Sequence, residues 1–168
     1  SRRAEFGVPG MTVSARMSGH LASATGTITV DLTRVADNWK ALAAKVAPAR
    51  CGAVVKADAY GLGAERVIPA LARAGCSPFF LATPDEAESA HKLAPRAEIY
   101  ALDGLVGNAA AAFARQTVKP VLSTLDDVVA WSALCQARGE TLAAALHIDT
   151  GLNRLGLRRL RPDRRAPR

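Results

Sequence analysis

Short apolar runs recur about every 20 to 25 residues in this chain, each followed by a stretch with helical spacing. They lie at Gly52–Lys56, Phe79–Ala82, Glu98–Leu102, Val118–Leu122 and Leu142–Asp149. An alternating stretch ahead of them, Thr27–Leu32, reads as a further strand. Strands joined by whole helices return parallel to one another, so the rhythm predicts βαβ units and a parallel sheet. Between them a helix from Thr33 to Val46 places Val35, Trp39, Leu42 and Val46 on one face and stops before Pro48. The next helix runs from Gly63 to Ala74 and is closed by Gly75. Thr83-Pro84-Asp85-Glu86 spells a capping box with proline at the first helical position, opening a helix to Leu93. An alanine-rich helix follows near Gly107–Arg115. Ser123 or Thr124 then caps one that turns Val128, Trp131, Leu134 and Cys135 inward and ends at Gly139. Pro120 predicts an irregular or partly unpaired position in its strand.

Two α/β architectures fit this rhythm, an open doubly wound sheet and a (β/α)8 barrel. The GxGxxG phosphate fingerprint is absent after the first strand, which weakens the first. Lys56, Asp149 and Arg154 all fall just after strand ends, where barrel enzymes carry their chemistry. Five barrel strands make a partial TIM-type barrel, incomplete at the C-terminus, with unpaired edges and half-covered apolar faces.

The chemistry concentrates in AVVKADAYGLGA, from Ala53 to Ala64. Val54 and Val55 lead a buried strand to a lone lysine, and a turn with Tyr60, Gly61 and Gly63 comes next. Burial of an amine disfavours its charged form, and a neutral amine condenses with aldehydes such as that of pyridoxal phosphate. A strand-end lysine that merely snorkels to solvent is the plain alternative.

Charge excludes one class of function. The net charge of +7 sits in the ends: residues 1–26 carry three arginines against one glutamate, and residues 158–168 six arginines against one aspartate. A nucleic-acid footprint belongs on a folded face, so no nucleic-acid partner is expected. Nor does any apolar run approach the roughly 18–20 residues of a membrane span. The N-terminus lacks the apolar segment of a secretory signal. Cys51, Cys76 and Cys135 are scattered without metal-ligand spacing and read as reduced thiols of a cytoplasmic protein. Residues 1–26 read as a disordered lead, with Met11 and Met17 as candidate starts, residues 27–157 as the domain, and residues 158–168 as a basic disordered tail or an out-of-frame end.

KADAYGLGA at Lys56–Ala64 resembles the cofactor-lysine signature of the alanine racemases, and HIDTGLNRLGL at His147–Leu157 resembles their DTGxxRLG segment, in the same order. The resemblance runs from about Thr27 to Leu157. It implies a barrel followed by a β-rich domain, with pyridoxal 5'-phosphate as cofactor and alanine as substrate. It further implies interconversion of L- and D-alanine for peptidoglycan, and a homodimer for full-length members. It makes Lys56 the residue that holds the cofactor and serves as base at one face of Cα. Tyr60 would bond the cofactor phosphate, and Arg154 would sit near the phenolic oxygen and the substrate carboxylate. Asp149 and Thr150 would shape the turn, and no metal is implied. A different enzyme or carrier on the same cofactor barrel, and a non-catalytic cofactor-binding remnant, are the alternative readings.

Two departures stand out. Many family members carry a lysine, often carbamylated, where this chain has His147, so Arg154 would be held differently here. The family's opposite-face tyrosine and most of its phosphate-binding groups come from downstream sequence, and nothing after Leu157 matches them. Without that second base, one-sided exchange of the Cα proton is expected of this chain rather than efficient two-base racemisation.

Overall fold

A computed structural model describes residues 28–107, 109–114 and 117–158. Residues 1–26, read as a lead, and residues 159–168 of the basic tail lie outside the described residues. In chain order the elements are α1 (Leu32–Val46), β1 (Ala53–Val54), α2 (Lys56–Tyr60), α3 (Ala64–Arg73), β2 (Phe79–Leu81) and α4 (Pro84–Leu93). There follow β3 (Ile99–Ala101), α5 (Ala109–Phe113), β4 (Lys119–Leu122), α6 (Leu125–Arg138), β5 (Ala145–Leu146), β6 (Ile148–Asp149) and β7 (Leu157–Arg158). Five strands form one parallel sheet in the order β1-β2-β3-β4-β5, the winding of an incomplete barrel. Pro120 pairs with Ala101 of β3, while β5 joins β4 only from Val121 onward, so the proline has a ladder partner on one side.

Of the strand expected at Thr27–Leu32, the described residues 28–32 form none. Ile28–Val30 is irregular, and Asp31 instead caps α1, its Oδ1 accepting from Thr33 N (2.9 Å) and Arg34 N (3.2 Å). Two alternating apolar residues hold a strand weakly, and a good N-cap outweighs them.

Alternation along the strands separates the two faces of the sheet. Phe79 and Leu81, then Ile99 and Ala101, are buried with Val67, Ile68 and Leu71 of α3, Ala87 and Ala90 of α4, and Phe113 of α5. Each large side chain buried this way stabilises the fold by about 1.5–3 kcal/mol. The residues between them share one register row on the other face, Val54–Phe80–Tyr100–Lys119. Phe80 stacks on Tyr100 with ring centroids 5.2 Å apart, and Lys119 Nζ lies 5.2 Å from the Tyr100 centroid. Glu98 gathers this row's charge, accepting from Lys119 Nζ (3.0 Å) and Tyr100 Oη (3.0 Å) and pairing with Arg50 (2.8 Å). Lys119, then Arg50 and Tyr100, hold its carboxyl down to about 2. Below β1, Gly52 has no room for a side chain, because a Cβ would lie 2.7 Å from the Phe80 ring and 2.8 Å from Pro78 O. Cys76, just ahead of β2, is buried, and that burial, with Cys51 adding to it, pushes its thiol up to about 12. All three cysteines are free.

Candidate active site

Lys56 leaves the C-terminal end of β1 half-buried and opens a turn of the wrong hand. Ala57, Asp58, Ala59 and Tyr60 have φ of 51°, 53°, 53° and 56°, and Gly61 follows at 79°. A left-handed conformation costs a residue with a Cβ roughly 1–2 kcal/mol, and runs of it are rare. Here its hydrogen bonds are made: Ala59 N donates to Val55 O (3.0 Å), Gly61 N to Ala57 O (3.0 Å) and Gly63 N to Asp58 O (3.0 Å). The Asp58 side chain accepts from Ala64 N at 2.6 Å, fixing the far end of the turn to the start of α3. The methyl of Ala59 anchors the turn in the core at 3% exposure. Tyr60, at 63% exposure, turns its ring to solvent, and Lys56 stands at the other end of the turn.

The near end of the turn is held from the next βα unit. Glu86 Oε1 accepts from Ala57 N (2.9 Å) and Oε2 from Ala82 N (2.9 Å), bridging the exits of β1 and β2. The capping box expected at Thr83–Glu86 is thus only half made: Thr83 Oγ1 accepts from Glu86 N (3.3 Å), but the Glu86 carboxylate bonds elsewhere. A complete box occurs on α6, where Thr124 and Asp127 bond reciprocally. Asp127 also takes Ser123 N (2.9 Å) and, across the β3 exit, Leu105 N (3.3 Å). Burial raises its carboxyl, but these donors outweigh it and leave the group below its ordinary value.

The second motif folds into a loop between β6 and β7. Asp149 Oδ1 accepts from Gly151 N (2.9 Å) and Asn153 N (3.1 Å), and these bonds lower its carboxyl, so Asp149 shapes the turn as expected. Gly156, at φ 107°, is required: a Cβ there would lie 2.9 Å from Asp149 N and 3.0 Å from both the His147 ring and His147 O. His147 is fixed through its backbone, donating to Leu122 O (2.9 Å) and accepting from Leu157 N (2.7 Å). Arg154 is exposed in this loop and makes no ion pair among the described residues. Its loop belongs to the separate β6-β7 pair that follows edge strand β5, whereas Lys56 follows β1, the opposite edge of the five-stranded sheet.

A cleft of about 440 Å³ lies behind the lysine turn, bounded by Val55, Asp58, Ala64, Ile68, Leu81 and Glu86 among others. A larger one of about 520 Å³ opens near the start of β2, by Pro69, Arg73, Cys76 and Arg96, and contains none of the motif residues. Of these two clefts, only the smaller borders the Lys56–Ala64 motif. Among the described residues no group of three or more His, Cys, Asp or Glu could hold a metal, and no helix is long and apolar enough to cross a membrane.

A five-stranded parallel α/β sheet with a lysine just past the C-terminal end of its first strand defines a partial barrel of the (β/α)8 class. The family described as alanine racemase, N-terminal domain, matches residues 30–164, and the chain belongs to that family. It is 51% identical over 130 residues to the alanine racemase of Methylobacterium sp. (strain 4-46), an alignment covering 77% of this chain and 36% of that one. The crystal structure of alanine racemase from Bartonella henselae with covalently bound pyridoxal phosphate superposes with a TM-score of 0.74 at 38% identity, covering 77% of this chain and 36% of that one. The histidine racemase of Leuconostoc mesenteroides superposes with a TM-score of 0.67 at 28% identity, over 74% and 34%. The chain therefore spans about a third of the length of the relatives it matches.

Proposed function

We propose that this chain is the cofactor-anchoring segment of a pyridoxal-phosphate-dependent alanine racemase, with Lys56 as the anchoring lysine. The observation that carries this reading is the run of four left-handed residues immediately after Lys56. Strain of that kind persists where function requires a fixed geometry. The chemistry of the half-buried Lys56 and the exposed Tyr60 and Arg154 fits the cofactor: an amine for its aldehyde, the Tyr60 hydroxyl for its phosphate, and the Arg154 guanidinium for its phenolic oxygen. When bound, pyridoxal phosphate supplies the electron sink that acidifies an amino acid's Cα–H.

The chain's own residues then divide the work. Lys56 Nζ holds the cofactor and, once freed, takes and returns the Cα proton at one face. Arg154 orients the substrate carboxylate with its planar fork, and Tyr60 Oη donates to the phosphate. The opposite-face base, homodimerisation and a cytoplasmic setting belong to the full-length reading. A second reading, a racemase for another amino acid, is favoured by the likeness to the histidine racemase.

The test is the visible absorption of purified chain with pyridoxal phosphate, before and after borohydride, for wild type and Lys56→Ala. A band that requires Lys56 and is fixed by borohydride supports the reading. Folded protein without such a band refutes it. Alanine and histidine, added in turn, separate the two substrates by which one perturbs the band.

A further inference from the structure

We propose that Glu86 is the positioning residue for Lys56, an inference that rests on reading Lys56 as the cofactor lysine. Ala57 N–H and the Lys56 carbonyl belong to one peptide group, so the bond from Ala57 N to Glu86 Oε1 (2.9 Å) sets the plane of that peptide. It thereby fixes ψ of Lys56 and admits Ala57, the first left-handed residue, at φ 51°. The other carboxylate oxygen is tied to Ala82 N (2.9 Å), so the anchor cannot swing with the turn. Glu86 lies 29 residues along the chain and forgoes the return bond of its own capping box to make this bridge. Two backbone donors call for two acceptor oxygens, which a carboxylate has and an amide lacks: after Glu86→Gln, the side-chain NH2 would face a backbone N–H. Through this bridge Glu86 aims the lysine amine without touching the cofactor.

The experiment uses the full chain as wild type, Glu86→Gln, Glu86→Asp and Asp127→Asn. The first readout is amide hydrogen exchange across Lys56–Gly63 without cofactor. The second is the yield of borohydride-fixed pyridoxal phosphate on the Lys56 peptide. In that reaction amine and aldehyde condense with loss of one water, and borohydride then supplies a hydride. We expect Glu86→Gln to accelerate exchange over the turn and to weaken capture, each by about tenfold or more, as loss of a charge-assisted bond implies. Asp127→Asn should leave both within about twofold while loosening Leu105, because it disturbs a matching bridge away from the lysine. Glu86→Asp keeps both oxygens and should restore part of the capture; it also serves if Glu86→Gln does not fold. Unchanged exchange and capture in Glu86→Gln would overturn the proposal, as would equal losses in Asp127→Asn. Should wild type capture no cofactor, the functional reading falls, and turn exchange alone decides whether Glu86 orients Lys56.

Discussion

Glu86 and Asp127 occupy the same place in two successive halves of the sheet, three residues into the helix after a strand, and each reaches back across the preceding strand's exit. What they hold differs. Asp127 closes its own capping box and takes Leu105 N beside Gly104, a glycine at φ 72° for which that conformation is free. Glu86 leaves its box half made and holds Ala57, where the left-handed conformation is costly. The same device serves ordinary helix capping in one half and supports strain in the other. The strained half carries the lysine.

The largest effect that would sharpen this contrast comes from Asp127→Ala. It removes a capping box and a cross-strand bond and should cost about 2 kcal/mol in urea denaturation, with Lys56 capture unaffected. Its pH signature follows from sign. A carboxyl held below its ordinary value stabilises the fold above the ordinary carboxylate range and loses that contribution as pH falls through the lowered value. Acid unfolding of Asp127→Ala should therefore be shallower in that window, and an unchanged slope would remove Asp127 from the account.

Smaller and opposite in sign is a reciprocal pair. Gly104→Ala imposes the left-handed penalty and sets a Cβ 3.0 Å from Asp127 Oδ2, for an expected loss of about 1 kcal/mol. Ala57→Gly relieves roughly 1–2 kcal/mol of strain while loosening the unfolded chain by about 0.4–1 kcal/mol, for a net gain of about 0–1.6 kcal/mol. If both substitutions destabilise alike, the two exits are not different in strain and the comparison breaks.

Much of this was legible in the residues. The five strands of the sheet fall inside the five apolar runs, and the inward face of α6 was set by the spacing of Val128, Trp131, Leu134 and Cys135. Lys56 and Arg154 were marked by position and motif. The left-handed turn after Lys56 was not. In Ala-Asp-Ala-Tyr only Asp58 leans toward φ > 0, and beside the local bonds the turn is held by Glu86, 29 residues away from Ala57. Glu86 itself was visible as a helix-start acid, but local pattern assigns such an acid to the nearest amide. The recurrence of an acid at the third helical position in TPDE and TLDD, each after a strand, is the signal that could have marked both bridges. Thr27–Leu32 failed for a similar reason: Asp31 reads equally as a strand residue and as a cap, and the helix behind it decided.

Cys76 turns this sheet into its own clock. Its thiol is buried at the floor of the cleft near the start of β2 and pushed up to about 12, so at neutral pH alkylation is slow until the molecule opens there. The modification rate of Cys76, set against the partly exposed Cys51 and Cys135, counts openings of the β2 region one molecule at a time. A single mass spectrum taken at intervals would then report how long the lysine's supporting strands stay shut.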